Sequence, residues 1–380
     1  MSFEQQERIT LIDALRGFTL LGILLVRTNN LWGNYPHPEP SSNAVIRFID
    51  SGIHFFVDNF MTGKFYSIFT ILFGLSFFII LSRAEAKNID FRLRFMWRMV
   101  ILLFIGCLHR LIITPWEDLA LYGILGILLI PFYKLAPKKI LIFAVCCLLF
   151  APFYPSLYQG IKEKVQPPVA QTEMVIQVED SHSSTDTYGT FLDRQKNLNI
   201  EKIRHSIRYG EFSVFGFFLL GLFLGKIRFF ENTEQKKRLY QKILWISICM
   251  FCLLFALSKF CYGILGNFAA YFFSFAIVSG FILLYSTKVR VLLDYLIPYG
   301  KMGLTNYILQ SAFGLLVFTP FFLNFNAQGL LIKEIVALLF YVSVVFLCTW
   351  HLKYFLYGPL EWFWRSATYL KKIPFRKKIK

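Results

Sequence analysis

Stretches of roughly twenty apolar residues, separated by short basic clusters, recur from one end of this chain to the other and set what it can fold into. A run of that length crosses about 30 Å of hydrocarbon as a helix, and in hydrocarbon only helices and closed barrels satisfy their own backbone groups. With 56% hydrophobic and 17% charged residues and a mean hydropathy of +0.54, a soluble globule is excluded. The fold class expected is all-α: a polytopic membrane bundle of about ten transmembrane helices.

The spans are placed near Ile12 to Leu31, Phe55 to Leu81, Met99 to Ile113, Leu119 to Tyr133 and Ile140 to Phe153. Five more follow, near Val214 to Phe229, Ile243 to Phe260, Leu265 to Tyr285, Met302 to Leu323 and Ile332 to Trp350. The net charge of +17 would suggest nucleic acid in a soluble domain, but here it gathers in alternate connections: Arg83 to Arg98, Lys134 to Lys139, Lys226 to Lys242 and Lys288 to Lys301. The opposite loops hold little beyond Arg47, Arg110, Lys259 and Lys333. The positive-inside rule therefore puts the basic loops and both termini in the cytoplasm, in a multi-pass protein of the cytoplasmic (inner) membrane. The basic segment 367–380 also suits anionic headgroups, so membrane lipid is an expected partner and nucleic acid is not. The first residues, MSFEQQER, carry no basic n-region, so the first apolar run is expected to stay as a span.

Four regions follow: helices 1–5 over residues 1–153, an outer connection over 154–210, helices 6–10 with an interfacial helix over 211–366, and the basic tail 367–380. The outer connection contains the polar stretch EDSHSSTDTYG and a helical spacing of Ile200, Ile203 and Ile207, which suits an amphipathic helix over the outer face or a solvated connector. Seven cysteines sit in or beside apolar runs without metal-ligand spacing, so free thiols and no metal are expected.

Ionisable side chains inside spans cost about 2.5 to 3.5 kcal/mol on an insertion scale, and those that persist mark function or internal pairing. Span one holds Asp13 and Arg16, three apart on one face, and Arg27 about 16 Å further along. Span two holds Asp58 in its first turns and Lys64 close to mid-depth; Arg27 and Asp58 are expected to pair or to flank one aqueous cavity. His109 ends span three and is followed by Glu117 and Asp118. An imidazole beside a carboxylate is the arrangement that general-base catalysis needs, although a histidine at a span end also serves as an anchor or a packing residue. His37 and His54 are outer rivals. Asn306 and Gln310 suit interhelical packing, and Glu361 with Arg365 suits a helix ion pair.

LIDALRGFTLLGILLVR, GKFYSIFTILFGLSF, the WR…GCLHRL…WEDLALYGILG stretch, GKMGLTNYILQS and GPLEWFWR together resemble YeiB-like bacterial membrane proteins, domain-of-unknown-function family 418, over most of the chain. That family is similar to the transmembrane acyltransferase superfamily. The resemblance implies transfer of an acyl group from cytoplasmic acyl-CoA to an outer hydroxyl or amine acceptor, a small molecule or glycan, without metal. It assigns Arg16 and Gly17 to an Arg-Gly signature near the donor, where Arg98 and Lys301 are further cationic candidates for its phosphates. It assigns His109 to a Gly-x-x-His at the outer end of the third helix, with Glu117, Asp118, Asp58, Lys64 and Arg27 as candidate partners and His37 as the alternative base. Two positions depart: Arg27 stands where relatives usually have Asn, and Trp116-Glu117-Asp118 replaces Trp-x-Gly-Asp. A small-molecule or lipid transporter using Arg27, Asp58 and Lys64 as a polar path is the rival function, and a membrane scaffold a third.

Overall fold

The computed structural model describes residues 3–32, 43–114, 117–155, 157, 211–258, 264–318, 323 and 328–377. Among them the structure is helical, and the only β pairing is an isolated antiparallel bridge, Phe355 with Arg376. Twelve main helices order the chain: α1 Phe3–Arg27, α2 Ala44–Phe56, α3 Lys64–Glu85, α4 Arg92–Ile112, α5 Leu119–Leu128, α6 Pro137–Phe150, α7 Phe212–Lys226, α8 Lys237–Ser258, α9 Ile264–Tyr285, α10 Gly303–Phe318, α11 Leu330–Tyr354 and α12 Pro359–Tyr369. Short helical turns over residues 290–301 join α9 to α10.

The described chain is a helical membrane bundle. Five helical stretches are long and apolar enough to cross a bilayer, Ala44–Glu85, Arg92–Ile112, Lys237–Ser258, Ile264–Tyr285 and Leu330–Tyr354, and α5, α7 and α10 are shorter apolar helices. Large apolar side chains stay exposed in rows, such as Trp245, Ile246 and Leu253 on α8 and Leu339, Phe346 and Leu347 on α11. A protein in water would bury such rows, whereas lipid tails solvate them.

Two expected spans are reshaped by local chemistry. Pro131 ends α5 in a 3-10 turn, Ile130–Lys134, because proline donates no hydrogen bond. The second span, expected to start at Phe55, is helical from Ala44. It loosens into a π-helical turn over Val57–Met61 and breaks at Gly63, whose φ of 79° suits glycine. Lys64 therefore stands at the first residue of α3, a 22-residue helix.

α1 is the central post. Its Gly17 faces the carbonyl of Leu296, its Asp13 carbonyl lies against Gly300, and Gly22 takes the ring of Phe65. A Cβ at Gly17 or Gly300 would collide with backbone, so the turns at 290–301 can lie directly on α1 only with glycine at these positions. α3 crosses α7 by the same device, Gly74 against Phe218 and Gly221 against Ile71. α4 and α5 form an antiparallel pair through Gly106 and Gly123. α8 and α9 pair antiparallel beside this core. α12 lies on the near end of α4, where the Trp97 indole donates to the Ala367 carbonyl and the Trp364 indole to the Arg98 carbonyl.

Candidate functional site

α1 also ends in a π-helical turn, Thr28–Trp32, facing the one that follows α2. Widened turns of this kind free backbone and side chains from regular packing and recur at functional sites. Between them lies a polar network. The Asn29 amide meets Asn30 Oδ1 at 2.6 Å and His54 Nδ1 at 3.1 Å; Asn30 donates to Thr62 at 3.1 Å; His54 Nε2 lies 3.3 Å from Asp58 Oδ2. Asp58 thus pairs with His54 and not with Arg27.

Arg27, only 1% exposed, turns the other way, into the bundle. Its Nε donates to the Tyr66 hydroxyl at 3.2 Å, its Nη1 to Ser311 Oγ at 2.7 Å, and its guanidinium lies 4.2 Å from the centroid of the Tyr307 ring. Asp118 is the carboxylate near enough to act on it electrostatically, and on Tyr66, Tyr122 and Tyr307 as well. One phenol hydroxyl, one serine hydroxyl and a π face thus meet this buried guanidinium in place of a direct carboxylate contact. Of the two arrangements expected, a direct Arg27–Asp58 pair or one shared cavity, the direct pair does not form: the break at Gly63 leaves Asp58 with the network between the π-helical turns, while Tyr66, near the start of α3, meets Arg27.

His109 also lies against Tyr307, ring centroids 5.8 Å apart and planes at 56°. Glu117, fully buried, accepts from the amides of Leu119 and Ala120 and so caps α5, with Arg110 Nε at 3.9 Å. A carboxylate at a helix N-terminus is stabilised by the free amides and the helix dipole, which is the role Glu117 fills here. Lys64, also buried, reaches the Asp58 carbonyl at 3.5 Å. Asp118 acts electrostatically on Arg27 and on the tyrosines around it, and Tyr307 in turn touches His109.

Below this cluster runs a cavity of about 490 Å³. On α3 it is bordered by Phe69, Phe73, Ser76, Phe77, Ile80 and Arg83, a single helix face about 21 Å long. Arg16, Arg83, Arg98, Lys301 and Arg365 gather at one end with Asp13 and Glu361. Arg83, Lys301 and Arg365 are exposed, so this end is the mouth. Tyr122 and Tyr307 are buried and close the other end. The walls between are aromatic and aliphatic, with Phe95, Met99 and Leu102 from α4. Five cations against two carboxylates at the mouth of an apolar slot favour a ligand with an anionic head and a lean, mostly apolar body.

The mouth is built firmly. Arg16 donates to Asp13 at 2.7 Å and to Ser76 Oγ at 3.0 Å. Arg98 lies 3.6 Å over the Trp364 ring, and its Nε has no hydrogen-bond partner. Glu361, expected to pair with Arg365, instead accepts from the amides of Leu304 and Thr305 at 2.7 and 3.0 Å and from Thr305 Oγ1 at 2.6 Å, capping α10. Arg365 stacks on Tyr357 at 4.5 Å.

The sequence candidates therefore divide. Arg16, Arg98 and Lys301 come together at the mouth; Arg27, His109 and Asp118 gather about the closed end; Asp58 and Lys64 belong to the network at the π-helical turns; Glu117 is a helix cap. Gly17 does not border the cavity and serves close packing. His37 and the connection over 154–210 lie outside the described residues. Among those residues no group of three metal-ligating side chains forms. Tyr66, Tyr122, Tyr307, Ser311 and Trp364 were not singled out from sequence, since an aromatic residue in a chain with 44 Phe and 19 Tyr carries no signal until its neighbours are known. Another unforeseen feature is Glu334 on α11, 8% exposed, with neither carboxylate oxygen hydrogen-bonded.

The family described as "Protein of unknown function (DUF418)" matches residues 224–371, from the end of α7 through α12. Over 97% of its length the chain is 31% identical to an uncharacterized 39.9 kDa protein in an amylase 3′ region of Bacillus acidopullulyticus, covering 96% of that protein. It is 30% identical over 98% of its length to the uncharacterized protein YxaH of Bacillus subtilis (strain 168), and 23% identical over 95% to the uncharacterized protein YeiB of Escherichia coli (strain K12), covering 97% and 96% of them. No solved structure matches.

Proposed function

This chain belongs to the DUF418 family, and on that premise we propose that it is an integral membrane acyltransferase. It takes an acyl group from acyl-CoA on the cytoplasmic side and delivers it to a hydroxyl or amine acceptor, a small molecule or glycan, on the outer side. The reading assumes the ten-span arrangement in the cytoplasmic membrane with both termini inside, which the basic connections favour.

The single observation that carries it is the cavity, which follows about 20 Å of α3 from a cationic mouth through apolar walls to a closed end beside His109 and Tyr307. Phosphates of the donor meet Arg16, Arg83, Arg98, Lys301 and Arg365; the pantetheine arm lies along the Phe-lined face of α3; the thioester arrives beside His109. The imidazole accepts the proton of the attacking hydroxyl or amine, and Asp118 nearby stabilises the imidazolium that results. No metal takes part.

Calorimetry on purified full-length protein tests this reading. Acetyl-CoA is expected to bind at micromolar concentration, and Arg98→Ala with Arg365→Ala to weaken it at least tenfold. Absence of binding would end the proposal. The transporter reading draws on a different observation, the helix broken at Gly63 beside a polar network, which resembles the discontinuous helices of carriers. Flux into proteoliposomes that depends on Lys64, without thioester consumption, would select it.

A further inference from the structure

Two buried donors at the closed end of the cavity are left without an acceptor. The Tyr307 hydroxyl and Arg27 Nη2 have no hydrogen-bond partner, although both residues are at most 2% exposed. Such omissions are uncommon, because a buried polar atom left unpaired loses the hydrogen bond it would make to water. Every other polar contact of these two groups is already committed: Arg27 Nε to Tyr66, its Nη1 to Ser311, and its π face to the Tyr307 ring. Neighbouring Tyr122, by contrast, shares its hydroxyl with Thr70 at 2.8 Å. Tyr307 borders the cavity and Arg27 lies against its ring, so both unspent donors stand beside the end that a ligand entering from the mouth reaches.

We infer that Tyr307 and Arg27 form the site for the carbonyl oxygen of the thioester, with Tyr307 as a catalytic residue for the transfer. The inference rests on the acyltransferase reading and adds to it the group that carries the developing negative charge. In the step, a lone pair of the acceptor oxygen or nitrogen attacks the carbonyl carbon, and the carbonyl π electrons move onto oxygen. The Tyr307 O–H and Arg27 Nη2–H donate to that oxyanion, while His109 holds the proton released by the acceptor. When the intermediate collapses, the C–O double bond re-forms and the C–S bond breaks. The thiolate takes the proton from His109 and leaves as free CoA. Donors fixed in advance in a water-poor pocket stabilise such charge at little reorganisation cost, and removing one commonly slows transfer by about 10² to 10³.

An arginine seated on a tyrosine ring and anchored by Tyr66 and Ser311 presents one remaining N–H₂ in a fixed direction. Lysine would keep the charge but lose that direction.

The test uses the full-length protein in detergent with [1-¹³C]acetyl-CoA and free CoA as probes. Isotope-edited infrared spectroscopy reads the bound carbonyl stretch, calorimetry reads affinity, and release of free thiol reads turnover to water or acceptor. In the wild type the carbonyl band is expected to move to lower wavenumber on binding. In Tyr307→Phe, which keeps the ring under Arg27, the band should return toward its free position and thiol release fall at least tenfold, with CoA affinity within about twofold. Arg27→Lys should behave alike, and Arg98→Ala should instead lose affinity for both probes. An unmoved carbonyl band in a Tyr307→Phe protein that still binds acetyl-CoA overturns the inference and leaves the acyltransferase reading standing. Failure of the wild type to bind acetyl-CoA overturns both.

Discussion

Two carboxylates show how a residue's partners, more than its type, decide its role. Glu361 and Arg365 have the spacing of a helix ion pair, yet the carboxylate is spent on α10: two amides and a hydroxyl at 2.6 to 3.0 Å hold the N-terminus that begins beside Gly303. Glu361→Ala should cost about 2 kcal/mol, the upper range for loss of a cap, seen as a lower unfolding temperature in detergent. An unchanged temperature would mean that α10 is held from elsewhere. Glu334 is the opposite case. It shares the buried stripe of α11 with Ala337, Tyr341 and Cys348, and neither oxygen has a partner. Tyr341 on that stripe donates to the Gly17 carbonyl, so polar groups facing α1 can be satisfied there, and Glu334 is not. Glu334→Leu should stabilise the protein by about 1 to 3 kcal/mol, the range for relieving an unpaired buried polar group. A drop in unfolding temperature would show that the carboxylate is held by water or lipid.

At the scale of elements, glycine contacts and helix breaks place the site. Helices in lipid gain nothing from hiding apolar surface from one another, so close backbone approach supplies much of their attraction. α3 and α7 meet where Gly74 and Gly221 each face a carbonyl of the other helix. Gly74→Ala is therefore expected to destabilise by about 2 kcal/mol or more through overpacking. Gly280→Ala on α9, where the nearest atom is the tip of Leu244 at 3.8 Å, should be neutral or gain up to about 1 kcal/mol from helix propensity. Similar losses at both positions would show that these helices do not cross through their glycines. The same α3 carries the cavity wall on one face, so loosening the Gly74 contact should also weaken acetyl-CoA binding, a coupling calorimetry on Gly74→Ala would detect.

For the whole molecule, the charge pattern and the cavity make one prediction about sidedness. If the basic connections are cytoplasmic, the mouth at Arg83, Lys301 and Arg365 faces the cytoplasm. Single cysteines replacing Lys236 and Lys301 in a background without native cysteine should then react with an impermeant maleimide in inverted vesicles and not in intact cells. The reverse pattern would place the mouth outside and remove acyl-CoA as donor. That the chain is a bundle of apolar helices suited to a membrane was legible in the sequence, because it follows from local composition against a solvent of fixed thickness. Span edges were less so: Pro131 and Gly63 broke helices that hydropathy alone draws as continuous. Arg16, Arg27 and His109 stood out as ionisable residues in or at the ends of spans, but their grouping did not. Which acid stands near Arg27, that Glu361 caps α10, and that Tyr307 touches both Arg27 and His109 depend on helices far apart in sequence coming together. Hydropathy is a property of each run taken singly; the cavity exists only between runs, and its shape is fixed by which backbones can touch.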